Sequence, residues 1–257
     1  MTPLRAILWD VDGTLAETER DGHRLAFNRA FASLGLPWRW DEAHYGRLLR
    51  ITGGRERLLH DMFDRADAPR VPGERSALAA DLHRRKNAFY ADLVRDGGIA
   101  LRPGVAALMD ECDARGVRQG IVTTTSRSNV EALLRAQLGA HWAARFACVV
   151  CGEDVARKKP DPEAYASALR ALGLAPLQAL AIEDSPGGAA AARAAGVPVM
   201  ITRSSYFADA SFDEAIAIGP GLDQRAGWRP ALPHTAGRVT LDDLMHWRQR
   251  MELVSQL

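Results

Sequence analysis

The spacing of apolar residues divides the chain into two parts. The run ILW at 7–9 ends at Asp10 and predicts a buried first strand. From there to residue 95, apolar residues recur every three or four positions, and Gly and Pro separate the segments. This spacing predicts helices and no strand. The expected helices lie at about 18–35, 41–50, 54–66 and 76–95.

After Arg102 the pattern changes to an alternation of short apolar runs and amphipathic segments, which predicts alternating strands and helices. The expected strands lie at 120–123, 146–151, 179–184 and 198–202, with a weaker one at 216–218. One expected helix ends at 115, and the others lie at 128–138, 162–172 and 187–195. Apolar strands joined by helices of this length form a parallel sheet that is covered on both faces.

The order of elements therefore predicts an α/β fold, a Rossmann-like doubly wound parallel sheet with an inserted helical cap domain. The core domain would comprise residues 1–16 and 97–257, and the cap domain residues 17–96. The tail from Asp209 carries no motif that we can interpret.

Composition narrows the class of protein. The chain has 257 residues, of which 25% are charged and 47% apolar, and its net charge is +1. These values are typical of a globular protein and disfavour nucleic acid or an acidic membrane as a partner. No stretch approaches the roughly 20 apolar residues of a membrane span, and the N-terminus runs into the first strand without a cleavable signal pattern. We expect a cytoplasmic protein that acts on a small molecule, with no obligate protein partner.

Polar side chains follow four of the predicted strands at their carboxyl ends. They are Asp10 and Asp12, Thr123, Lys159, and the pair Glu183 and Asp184. Ligands of open parallel sheets bind beyond this edge, where the connections diverge. We therefore expect these side chains to surround one site.

The residue types at this site predict phosphoryl transfer. Asp10, Asp12 and Asp184 together need a cation, and carboxylate oxygens suit Mg²⁺, which commonly works on phosphates. Thr123 and Lys159 could hold the phosphate oxygens. A carboxylate in line with phosphorus could act as a nucleophile, which would be Asp10, while Asp12 could serve as acid and base.

Four motifs occur in the order that a known family shows. They are DVDGT at 10–14, a Thr after the next core strand at 123 (with Thr124 or Thr125 as alternatives), KKPDPE around Lys159, and EDS at 183–185. With them the chain resembles the haloacid dehalogenase superfamily of Mg-dependent phosphatases and mutases, over residues 5 to about 207.

The resemblance implies a role for each motif residue. Asp10 would be the nucleophile and Asp12 the acid and base. Mg²⁺ would be held by Asp10, Asp12 and Asp184, with Glu183 as a ligand or a neighbour of the ligands. The helical insert would be the small cap that closes over small substrates in this superfamily.

Longer stretches narrow the resemblance. AETERDGHRLAFNRAF, WRWDEAHYG, TGGRER and VTTTSRSNVEALL look like the CbbY-type phosphatases encoded with Calvin-cycle enzymes. That type implies hydrolysis of xylulose 1,5-bisphosphate, an inhibitory side product of Rubisco, to xylulose 5-phosphate. Two phosphates need a second anion site. The candidate substrate-binding residues are Glu17, His23, Arg55, Lys86, Thr124, Arg127 and Asn129.

Alternatives remain open at this stage. Arg55 and Lys86 could be solvated helix charges, and His23 a packed histidine. The same core motifs would also serve a β-phosphoglucomutase-like sugar phosphomutase or a phosphoglycolate phosphatase. A regulatory protein that keeps the fold without the chemistry is the non-enzymatic alternative.

Overall fold

A six-stranded parallel sheet forms the centre of the protein. The computed structural model describes residues 2–213 and 215–254, without the side chain of Val254. The strands are β1 Ala6–Trp9, β2 Arg118–Val122, β3 Cys148–Val150, β4 Ala179–Glu183, β5 Val199–Thr202 and β6 Ala217–Gly219, in the order β3-β2-β1-β4-β5-β6. All neighbouring strands pair in parallel. The predicted Rossmann-like α/β fold is confirmed.

The strand order places β1 beside the point where the chain changes direction. From β1 the chain runs through β2 to β3 at one edge, and it then returns to β4 on the other side of β1. Connections that diverge in this way leave a crevice at the carboxyl ends of the two central strands. Asp10 follows β1 and Asp184 follows β4, so both acids lie at that crevice.

Helices cover the sheet and form the insert. The insert contains α1 Arg24–Ser33, α2 Glu42–Leu48, α3 Gly54–Phe63 and α4 Pro72–Arg95. The remaining helices are α5 Val105–Ala114, α6 Arg127–Leu138, α7 Glu163–Leu172, α8 Pro186–Ala194 and α9 Leu241–Val254, with single 3-10 turns at Trp142–Arg145 and Pro176–Gln178. Helix α4 begins four residues before the predicted start, because Pro72 fits the first turn, where its missing N–H is not needed.

The first predicted insert helix is divided. Residues Glu19–His23 form a π-helical turn that continues into α1. Gly22 in this turn faces Tyr90 and Ile99 so closely that a Cβ atom would lie 2.5 Å from Ile99 Cδ1. The close packing of backbone against α4 explains why a small residue stands here.

Alternating residues of β1 serve two hydrophobic cores. Ile7 and Trp9 belong to the cluster on one face of the sheet, and Ala6 and Leu8 to the cluster on the other, as the period of two in a strand requires. A third cluster lies within the insert and includes Phe27, Phe31 and Trp40. The insert helices therefore have an apolar core of their own.

The C-terminal helix α9 was absent from the sequence prediction. Its buried residues Leu241, Leu244 and Trp247 are three positions apart, and Trp247 packs on Trp228 with ring centroids 4.7 Å apart. The Trp247 indole N–H donates to the Pro230 carbonyl over 2.9 Å. The spacing of apolar residues in the tail was therefore regular enough to indicate a helix. Among the residues described, no helix has the length and apolar character to cross a membrane.

Candidate active site

A tight turn after β1 brings two acids together. Gly13 has φ of 87°, a conformation that glycine adopts without strain, and its N–H donates to the Ala16 carbonyl over 2.8 Å. A Cβ atom on Gly13 would lie only 2.0 Å from Asp184 Oδ2. The turn that carries Asp12 can therefore approach Asp184 only with glycine at this position.

Lys159 links the ends of three strands. Its Nζ lies 2.8 Å from Asp10 Oδ1, 2.6 Å from Glu183 Oε1 and 2.8 Å from the Val122 carbonyl oxygen. Three acceptors match the three protons of an ammonium group. Burial opposes the charge, but the two carboxylates raise the pKa of Lys159 above its ordinary value. Lys159 is thus a fixed cation in a buried site.

Three buried carboxylates surround a point that could hold a metal ion. One oxygen of each of Asp10, Glu183 and Asp184 lies within 4.8 Å of the others. Burial, followed by the charge of Glu183, raises the pKa of Asp10 to about 8. Glu183 accepts from Tyr165 O–H over 2.5 Å, yet its Oε2 is buried and has no hydrogen-bond partner among the described residues. Three acids with one lysine leave excess negative charge, so the donor set fits a hard divalent cation such as Mg²⁺.

Asp12 has a different environment from that of Asp10. Its Oδ1 accepts from the Thr18 hydroxyl over 2.5 Å and lies 2.9 Å from His23 Nε2. Burial raises the pKa of Asp12, but the interactions with His23 and Thr18 outweigh burial and bring the pKa down to about 2. The His23 ring stacks on Tyr90 with centroids 4.3 Å apart. The insert therefore positions Asp12 through two side chains.

Two cavities adjoin at these acids. The strand-end cavity, about 300 Å³, is lined by Asp10, Lys159 and Asp184. The cap cavity, about 230 Å³, extends between the insert and the core and is lined by Arg55, Lys86 and other residues. Four residues line both cavities: Asp12, Glu19, Arg57 and Thr124. A ligand could thus extend from the carboxylate cluster into the insert.

Of the three consecutive threonines after β2, Thr124 is the one that lines both cavities. Thr123 is buried, and its Oγ1 accepts from the Thr125 N–H over 3.2 Å. Thr124 lines both cavities, while Thr125 lines only the cap cavity. The direction of each side chain depends on how the backbone leaves β2, which residue spacing does not specify.

Two predicted basic residues and His23 line the cap cavity. Arg55 donates to Ser76 Oγ over 2.8 Å. Lys86 is 2% exposed, and burial lowers its pKa to about 8. Its Nζ donates to Asn87 Oδ1 over 3.4 Å and lies 5.3 Å from the ring centroids of Phe27 and Tyr90, and no carboxylate of the described residues forms an ion pair with it. A buried ammonium with so few partners favours an anionic or hydroxylated ligand.

Three predicted substrate-binding residues lie outside both linings. Glu17 accepts from the Ser205 N–H over 3.2 Å. Arg127 points to the surface and donates to Asp154 over 2.5 Å. Asn129 is buried and donates to Asn87 Oδ1 over 3.1 Å. The structure therefore does not bring these three residues to either cavity. The partner of Glu17 lies in the loop after β5, that of Arg127 in the loop after β3, and that of Asn129 in α4.

Other lining residues were missed by the sequence analysis. Glu19, Arg57, His83 and Lys158 all face the cap cavity. The stretch TGGRER contains both Arg55 and Arg57, so a signal for the second arginine was present. Helical spacing alone could not orient the first turn of α3 relative to the core.

Comparison with known proteins gives one consistent family. The family model "haloacid dehalogenase-like hydrolase" matches residues 4–196. CbbY from Cupriavidus necator is 43% identical over 235 residues, which is 91% of each chain. Phosphoglycolate phosphatase from Rhodospirillum rubrum is 32% identical over 89% of this chain and 97% of its own. A mutant of CbbY from Rhodobacter sphaeroides, solved in complex with xylulose 1,5-bisphosphate, superposes with a TM-score of 0.77 at 43% identity, covering 82% of this chain and 92% of the other.

Proposed function

The chain belongs to the haloacid dehalogenase-like hydrolase family and is a phosphatase, and from that premise we propose that its substrate is a small sugar bisphosphate. We propose xylulose 1,5-bisphosphate, hydrolysed to xylulose 5-phosphate and inorganic phosphate. The observation that carries this proposal is the pair of adjoining cavities, one holding Asp10 and Lys159 and the other lined by cationic side chains. The CbbY mutant solved with the same bisphosphate supports it.

We propose that Mg²⁺ binds between the carboxylates of Asp10 and Asp184. Glu183 would lie beside them, and the Asp12 main-chain carbonyl would be a further ligand, as the family resemblance implies. The all-oxygen donor set and the unpartnered Glu183 Oε2 support this assignment. When bound, the ion would neutralise charge that builds up as a carboxylate approaches a phosphate.

The proposed reaction has two steps. The Asp10 carboxylate attacks phosphorus, the bond from phosphorus to the sugar oxygen breaks, and an aspartyl phosphate forms. Asp12 gives a proton to the departing sugar oxygen. Asp12 then takes a proton from a water molecule, which attacks phosphorus, releases inorganic phosphate and restores Asp10. Lys159 and the Thr124 hydroxyl would hold the phosphate oxygens during both steps.

The surroundings of Asp12 suit the second step as they stand. A carboxyl group with a pKa of about 2 is ionised near neutral pH and can accept a proton from water. For the first step Asp12 must carry a proton, and His23 Nε2, at 2.9 Å, is placed to share one. His23 would thus act through Asp12.

The second phosphate would bind in the cap cavity. Arg55, Lys86 and Lys158 line it, and Ser126 precedes the N-terminus of α6 at its wall. Guanidinium, ammonium and helix N-terminal groups are the usual partners of phosphate. A substrate with one phosphate would leave these cations without their anion.

A different substrate and a different reaction are the two alternatives. Phosphoglycolate is the substrate in the name of the Rhodospirillum rubrum relative, although its carboxylate would have to replace the second phosphate. A sugar phosphomutase would use the same acids but would depend on a bisphosphate activator. The cytoplasmic location expected from the sequence remains a prediction.

Phosphate release with and without Mg²⁺ tests the proposal. The panel contains xylulose 1,5-bisphosphate, ribulose 1,5-bisphosphate, phosphoglycolate and β-glucose 1-phosphate. We expect Mg²⁺-dependent release that is fastest from the xylulose bisphosphate. Faster turnover of phosphoglycolate would replace the proposed substrate, and conversion of β-glucose 1-phosphate to its isomer without phosphate release would indicate a mutase.

A further inference from the structure

Glu19 and Arg57 are the two insert residues that line both cavities, opposite the core residues Asp12 and Thr124. If the reacting phosphate binds at Asp10 and the second phosphate in the cap cavity, the middle of the substrate passes between these two pairs. In a sugar bisphosphate the middle carries the carbonyl and hydroxyl groups. The insert pair therefore faces the part of the substrate that differs between sugars.

A third residue fixes the positions of this pair. Arg57 Nη1 donates to the Tyr45 hydroxyl over 2.8 Å, and the same hydroxyl donates to Glu19 Oε2. Arg57 Nη2 lies 3.5 Å from Glu19 Oε1. The three residues come from different elements of the insert, namely the π-helical turn, α2 and α3. Tyr45 is fully buried, so the network is held in place before any ligand arrives.

Both charged groups keep unused hydrogen-bonding capacity. A carboxylate offers about four lone-pair positions, and the contacts of Glu19 with Tyr45 and Arg57 occupy one position on each oxygen. A guanidinium has about five N–H groups, and among the described residues the polar partners of Arg57 are Tyr45, Glu19 and, over 3.4 Å, the Ile51 carbonyl. The side chains are only 16% and 7% exposed, so an unmatched hydroxyl beside them would lack solvent as a partner.

We propose that Glu19 and Arg57 determine the stereochemical specificity of the enzyme by hydrogen bonding to the central hydroxyl groups of the sugar bisphosphate. Glu19 accepts from a hydroxyl and Arg57 donates to an oxygen. A hydroxyl of opposite configuration does not meet the remaining lone pairs of Glu19 or the remaining N–H groups of Arg57, and an unmatched polar group at this buried position is costly. This inference rests on the proposed function, and it assigns the discrimination between sugars to two residues.

Three variants and three substrates test the proposal. The variants are Glu19→Gln, Arg57→Lys and, as a control, Glu42→Gln, which loses an exposed insert carboxylate that pairs with Arg24. The substrates are xylulose 1,5-bisphosphate, its epimer ribulose 1,5-bisphosphate, and p-nitrophenyl phosphate, which has neither sugar hydroxyls nor a second phosphate. We expect the ratio of kcat/KM between the epimers to fall by at least about tenfold in the first two variants. Turnover of the aryl phosphate changes less than about threefold, and Glu42→Gln keeps the parent ratio.

An unchanged ratio between the epimers would overturn the inference. If that unchanged ratio comes with an equal loss of activity on all three substrates, the two residues have a structural role. Thermal unfolding identifies a variant that does not fold. If Arg57→Lys does not fold, the result for Glu19→Gln decides the test, since this substitution keeps the size of the side chain. If the parent enzyme hydrolyses the aryl phosphate but neither bisphosphate, the proposed substrate is wrong. Glucose 1-phosphate and galactose 1-phosphate then serve as the epimeric pair, and an unchanged ratio in Glu19→Gln overturns the inference separately.

Discussion

Lys158 Nζ lies 2.6 Å from Glu56 Oε1, and this ion pair joins the core loop before Lys159 to the first turn of α3 in the insert. Lys158 lines the cap cavity, and Glu56 lines it as well. Burial raises the pKa of Glu56, but Lys158 and the local backbone lower it below its ordinary value. The pair therefore holds the insert against the core beside the space proposed for the second phosphate.

Removing the Glu56 charge should weaken the contact between the insert and the core. We expect Glu56→Gln to raise KM for the bisphosphate by roughly two- to fivefold at low ionic strength, because a partly exposed ion pair contributes modestly. The difference from the parent should shrink in high salt, which screens the parent pair. Steady-state kinetics from low to high ionic strength measures this. If KM depends on salt in Glu56→Gln as it does in the parent, the ion pair has no role in binding the bisphosphate. The double variant Glu56→Lys, Lys158→Glu restores the pair with reversed charges and so distinguishes loss of the pair from loss of either group alone.

Substitution of the proposed nucleophile should abolish turnover and leave the fold intact. An amide cannot form the phosphoenzyme, so Asp10→Asn should retain less than a few per cent of the parent activity. It also removes a carboxyl group whose ionisation is opposed by burial and by Glu183, and we therefore expect a Tm equal to or above that of the parent in Mg²⁺-free buffer. Single-turnover trapping of phosphoenzyme and thermal unfolding are the two measurements. Substantial residual activity would remove Asp10 from the nucleophile position.

The Lys86 ammonium should make substrate binding depend on pH. Burial lowers its pKa to about 8, while Asp12 and Glu19 raise it and Arg57 lowers it. Below pH 8 the group is charged and can hold a phosphate, and above it the charge is lost. We expect kcat/KM for the bisphosphate to fall as pH rises through 8.

Lys86→Met is the variant that assigns this pH dependence. It should show a lower kcat/KM at pH 7 and no fall through pH 8, and p-nitrophenyl phosphate should show neither effect in either protein. A parent-like pH profile in Lys86→Met would assign the titration to a different group.

The C-terminal helix should contribute to stability and not to chemistry. Trp247 is 1% exposed and packs on Trp228, far along the chain from the motif residues. We expect Trp247→Ala to lower the free energy of unfolding by about 3–5 kcal/mol, as loss of a buried aromatic side chain does. Leu253→Ala, on the same helix but 58% exposed, should change it by less than about 0.5 kcal/mol. Urea unfolding gives both values, and similar losses in the two variants would disprove the packing role.

Local patterns predicted most of the fold. Each strand and α-helix up to β6 was expected, and apart from the start of α1, where a π-helical turn comes first, the bounds agree within a few residues. The reason is that burial on both faces leaves continuous apolar runs in parallel strands and a period of 3.6 in helices. Helix α9 was not predicted, although apolar residues recur along it, because the segment before it is irregular and carries no motif that we could interpret. The acids and the lysine at the strand ends were likewise evident, since parallel strands bring their carboxyl ends to one edge whatever the details of the loops.

Residue spacing was therefore enough to predict the sheet, the inserted helices and the set of groups at the strand ends. It did not show that Thr124 rather than Thr123 lines the cavities, that Glu19 lines them while Glu17 contacts Ser205, or that Arg57 lines the cap cavity together with Arg55. The physical reason is that these residues lie in turns or at the starts of helices. There, the direction of a side chain depends on local backbone angles and on how the insert packs against the core, and neither follows from residue spacing.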